Sequence, residues 1–101
     1  MEHAYTYEVL VSNNSHYQDE KDDFSHGIFI RYEDALKKCK NLIDEFLMTA
    51  HYEGMSEEEL FGHYIAWGEE PYIRSDDPSL VQFIAWKYTK ERTNQLCQKS
   101  E

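Results

Sequence analysis

Residues 54–73 read GMSEEELFGHYIAWGEEPYI, and the reading of this stretch decides the fold. Ser56 and Glu59 have capping-box spacing, in which each side chain satisfies a backbone N–H at a helix start. Met55 and Leu60 stand at the hydrophobic-staple positions around that start. Gly68 stands where a glycine ends a helix. A helix is therefore expected from Glu57 to Trp67, with Leu60, Phe61, Tyr64, Ile65 and Trp67 as its buried stripe. EPYIRS then reads as a short strand, in which Pro71 suits an edge or a strand start because it has no N–H to give a neighbour. The stretch is thus a helix-to-strand corner.

Outward from this corner, YTYEVLV near the N-terminus alternates with period two, as a strand does. NNSHYQDEKDD follows and gives way to FSHGIFIR, a second strand with Phe24, His26, Ile28 and Ile30 on one face and Phe29 and Arg31 on the other. The pair makes an antiparallel hairpin with a long acidic tip over 13–23. Residues 32–52 carry a helical stripe of Ala35, Leu36, Cys39, Leu42, Ile43, Phe46, Leu47 and Ala50. A last helix is expected to open at DDPS, with Asp77 as N-cap and Pro78 in the first turn. Its main stripe is Leu80, Val81, Ile84, Ala85, Tyr88 and Leu96; Phe83, Trp86 and Cys97 form a second. The tail 98–101 should fray. The order β-β-α-α-β-α predicts a single α+β domain over 1–101: a small, mostly antiparallel three-stranded sheet with three helices packed on one face, and strand order 1-2-3.

The chain has 101 residues and a net charge of −10 from 20 acids against 10 bases. A chain of this length buries roughly 65% of its unfolded surface, enough for one core without metals or disulfides. Fifteen per cent aromatic residues argue for a packed fold despite the charge. The field repels phosphates and anionic membranes, which disfavours direct binding of nucleic acid or membrane and favours a basic protein partner. Cys39 and Cys97 lack CxxC spacing and read as free thiols in a reducing cytosol. The N-terminus carries no secretory signal pattern and no run is long enough to span a membrane, so the expected location is cytoplasmic.

YEVLV at 7–11, an Asn, His and Asp-Glu in the following loop, EDAL..C..LIDEFL at 33–47, GMSEEEL with WGEEPYI, and F.AWKY.KER at 83–92 form a pattern over nearly the whole chain. It resembles a family of small acidic bacterial proteins of unknown function. The resemblance implies a compact bacterial cytoplasmic protein and no particular activity. Glu69 and Glu70 stand where glycine-glutamate-aspartate is expected, a mild departure.

Glu59 and His63 are spaced i, i+4 and are the weak metal candidates on one helix face; zinc needs three or four ligands, and neither HExxH nor paired CxxC is present. A half-buried, hydrogen-bonded histidine explains His63 equally. Asp19, Glu20, Asp22 and Asp23 cluster in the tip loop without EF-hand order, which reads as a solvated acidic loop. No catalytic motif and no cofactor signature stands out, so no cofactor is expected. Phe83 and Trp86 are either core or an interface, the latter including a homodimer in place of a monomer. The leading expectation is an interaction or accessory module. Its binding residues would be Asp19, Glu20, Asp22, Asp23, Glu69, Glu70, Phe83 and Trp86. The alternatives are a nucleic-acid-mimic inhibitor and a metal-dependent enzyme with dispersed His and acid ligands.

Overall fold

The computed structural model describes residues 5–13 and 24–97. The elements are β1 (Tyr7–Asn13), β2 (Phe24–Phe29), α1 (Tyr32–Ala50), α2 (Glu57–Trp67), β3 (Glu69–Arg74) and α3 (Ala85–Leu96). The order is β-β-α-α-β-α, an α+β fold around a three-stranded antiparallel sheet.

The sheet order is β2-β1-β3, not 1-2-3. The central strand must hydrogen-bond on both sides and is the most covered of the three. β1 suits that place: Val9 and Val11 are buried on one face and Leu10, 6% exposed, on the other. β2 and β3 each carry a residue that favours an edge. Glu8 opposes Ile28 while Leu10 opposes Ser25, so His26 and Gly27 stand against Val9 alone. This bulge is built on Gly27, whose φ of 128° is costly for any residue with a Cβ. The inserted residue reverses the period-two pattern, so Phe24 and Phe29, expected on opposite faces, oppose Val11 and Tyr7 on the same face. β3 carries Pro71 opposite Val11, tolerable because the strand has a neighbour on one side only.

One core forms between the sheet and the helices. Tyr7, Val9 and Ile73 of the sheet meet Ala35, Cys39, Ile43 and Leu47 of α1, Leu60 and Tyr64 of α2, and Ala85 of α3. The stripe of α1 is the expected one. Asp44 on α1 then binds α3, its Oδ1 accepting from Tyr88 Oη and Arg92 Nε, each at 2.9 Å. The capping box of α2 is present, with Glu59 N donating to Ser56 Oγ at 3.1 Å and Ser56 N to Glu59 Oε1 at 3.3 Å. Met55 and Leu60 are both buried beside it.

Two expectations are corrected in the helices. Trp67 is 67% exposed and Ile65 is exposed as well, rather than buried. Leu60, Tyr64 and Gly68 follow one another at i, i+4 and i+8, and the buried backbone of Gly68 takes the third place in the stripe. Trp67 is turned outward as the chain leaves for β3. The last helix begins at Ala85 rather than at Asp77. Asp77 does cap: its Oδ1 accepts from Ser79 N at 2.9 Å and Ser79 Oγ at 2.7 Å. The turn stops there, because Tyr7 Oη donates to Asp77 Oδ2 at 2.6 Å and Gln82 is bound to β3. The buried stripe of α3 is Ala85, Thr89 and Thr93, small residues that admit close approach; Val81 and Ile84, expected on its buried face, precede it and are exposed. Thr89 Oγ1 donates to Ala85 O at 2.8 Å, which removes the cost of burying its hydroxyl.

Candidate interaction surface

The corner at 64–71 is fixed from within. Tyr64 is fully buried, its ring edge-on to Phe46 at 5.9 Å, and its Oη donates to Glu69 O at 2.9 Å. A Cβ on Gly68 would lie 2.5 Å from Tyr64 Cδ1 and 2.8 Å from Tyr64 O. Gly68 has an ordinary φ of −79°, so glycine is required here by space and not by backbone conformation. This contact sets the direction of β3 and presents Trp67, Glu69 and Glu70 at the surface, Glu69 exposed and Glu70 half-buried.

β3 is an edge strand with few open positions. In an antiparallel ladder, alternate residues turn their N–H and C=O away from the partner. Ile73 is such a residue. Its N–H donates to Gln82 Oε1 at 2.9 Å, and its C=O accepts from Gln82 Nε2 at 2.7 Å. The Gln82 carboxamide thus stands where an added strand would. Two positions earlier Pro71 has no N–H, and at Glu69 the C=O is taken by Tyr64. Ser75 Oγ donates to Thr6 O at 2.6 Å, which with Tyr7–Asp77 ties the start of the 75–84 segment to the N-terminal strand.

Between β3 and the chain entering α3 lies a shallow groove of about 210 Å³. Glu70, Pro71 and Tyr72 form one side, and Phe83, Ile84, Ala85 and Trp86 the other. Phe83 belongs to the core, while Trp86 is 50% exposed, so the two side chains do not form one stripe. Tyr72, Ile84 and Gln82 were not expected as site residues from the sequence. Tyr72 and Ile84 carried only the weak signal of large residues beside Pro71 and Trp86; Gln82 carried none.

The other expected residues fall elsewhere. Glu59 and His63 share α2, but Glu59 Oε2 accepts from Tyr52 Oη at 2.8 Å and Oε1 from Ser56. These bonds, that from Tyr52 foremost, hold the Glu59 carboxyl below its ordinary value. Among the described residues, no group of three or more His, Cys, Asp or Glu side chains is placed to hold a metal ion. Asp19, Glu20, Asp22 and Asp23, with the 13–23 tip from residue 14 onward, lie outside the described residues, as does the 98–101 tail. Cys39 is buried, and desolvation pushes its thiol up to about 12, which makes it inert. No helix among the described residues is long and apolar enough to cross a membrane.

No family model, no curated protein and no solved structure matches this chain. The resemblance noted above therefore rests on its short motifs.

Proposed function

We propose that the protein is a small interaction module that engages a partner protein with a basic surface. The observation that carries this reading is the α2–β3–α3 corner, where two exposed indoles, Trp67 and Trp86, flank Glu69 and Glu70 in a chain of net charge −10. Large aromatic rings in water are anchors when a partner covers them, and acids around them select a positive one. The free thiols and the inert, buried Cys39 support a reducing, cytoplasmic setting.

Affinity capture from a bacterial lysate, with wild type beside a Glu69→Lys/Glu70→Lys variant, tests the reading. A basic protein should be retained by wild type at low salt, released at high salt, and lost by the folded variant. Equal capture by both would end the proposal for this corner. The metal-dependent alternative is weakened by Glu59, whose carboxylate oxygens are already engaged by Tyr52 and by the cap of α2.

A further inference from the structure

The groove beside β3 is more specific than acidity alone, and, resting on the reading of a basic partner, we infer that it seats an arginine side chain from an extended segment of that protein. Its floor is apolar: Pro71, Phe83 and Ala85 are all buried. Such a floor suits the methylene stem of a long cationic side chain. Tyr72 and Trp86 line it, Trp86 half exposed, and an aromatic ring attracts a guanidinium through its quadrupole. Glu70 lines the same groove, and a guanidinium can stack on a ring while its N–H fork reaches a carboxylate. The volume, about 210 Å³, suits one side chain and falls below the ordinary range for a drug-sized ligand.

The charges around the groove agree. Arg74, on the same strand, is held by Glu8 at 2.6 Å. Lys87, next to Trp86, lines a separate depression with Glu57, Lys90 and Glu91. The edge also constrains the form of the guest. Gln82 closes β3 at Ile73, and Pro71 offers only its C=O, so continuous strand addition is blocked. Recognition must come from a side chain projecting from a short extended segment, with at most the Pro71 carbonyl as a backbone anchor.

The probe is a capped Val-Arg-Val-Arg-Val peptide, titrated into the full chain and followed by the indole N–H resonances. Trp67→Phe assigns the two indoles. The Trp86 indole should move with saturation. Trp86→Leu and Glu70→Gln should each weaken binding about five- to tenfold, as loss of a partly desolvated cation–π contact or of its carboxylate partner does. Trp86 is half exposed, so the leucine variant should keep the wild-type amide spectrum, which the same titration verifies. Glu33→Gln, in the exposed first turn of α1, removes the same charge elsewhere and should change affinity less than twofold. A norleucine peptide of the same length should not bind.

Three results would overturn the inference: no shift at Trp86, equal binding of the norleucine peptide, or equal weakening by Glu33→Gln and Glu70→Gln. If any of these is found while the capture above still returns a basic protein dependent on Glu69 and Glu70, the groove proposal fails alone. If that capture also fails, the reading of a basic partner falls with it.

Discussion

At the scale of single residues, Gly68 and Tyr64 decide the corner. Gly68 was legible as a helix end but for a different reason, since its φ is ordinary and the constraint is the Tyr64 ring. Gly68→Ala should therefore destabilise the protein by about 1–3 kcal/mol, the usual range for an inserted methyl that forces a buried neighbour to move. Chemical denaturation measures it, and a change within about 0.5 kcal/mol would show that Tyr64 yields freely. Trp67 was misread because its place on a helical wheel is right only if the stripe is completed by a side chain. Here a backbone completes it. Trp86 stood open between core and interface, whereas Glu70 was legible as a surface feature. Tyr72 was not, because its value comes from what stands opposite, which no local pattern encodes.

At the scale of elements, every helix and strand was legible because each signal was local: a capping box for α2, a 3.6-residue stripe for α1, alternation for β1. The start of α3 was not. The capping grammar of Asp77 and Pro78 is satisfied by Asp77 and Ser79 over one turn only, and the long-range bonds of Asp77 to Tyr7 and Gln82 to Ile73 hold the next residues extended. Strand order was equally hidden, because it follows from a bulge at Gly27 and from which edge of β1 receives Pro71. The Gln82 carboxamide makes a test at this scale. Gln82→Leu leaves the Ile73 N–H and C=O without partners on an edge strand, and such an edge recruits other chains. The expected outcome is a loss of about 1–3 kcal/mol together with an apparent mass that rises with concentration in light scattering. A variant that stays at the wild-type mass at every concentration would show that Pro71 alone protects the edge.

At the scale of the whole molecule, hydrogen bonds between remote side chains make stability depend on pH at both extremes. The Asp77 carboxyl is held below its ordinary value, first by the Tyr7 hydroxyl and then by Ser79. Glu59 is lowered by Tyr52 and the Ser56 cap, and Glu8 by Ser25 and Arg74. A depressed folded value means that these contributions are complete above the ordinary carboxylate range, about pH 4–5, and are lost as pH falls through the lower folded values. Tyr7, raised to about 12 chiefly by its bond to Asp77, has the opposite sign. Its contribution is complete below about pH 10 and is lost as pH rises toward 12. Denaturation between pH 6 and pH 3 should therefore show a smaller loss for Asp77→Asn than for wild type, and an equal loss would remove Asp77 from the account. The 75–84 segment joins these ties to the sheet through Ser75, Asp77 and Gln82, although it contains no regular element. Amide hydrogens on the open side of an edge strand ordinarily exchange with solvent faster than those inside a sheet. Here the Ile73 amide, on the outer side of an edge, should exchange as slowly as one in the middle of the sheet. To hydrogen exchange, Gln82 would make this three-stranded sheet look as though it had a fourth strand.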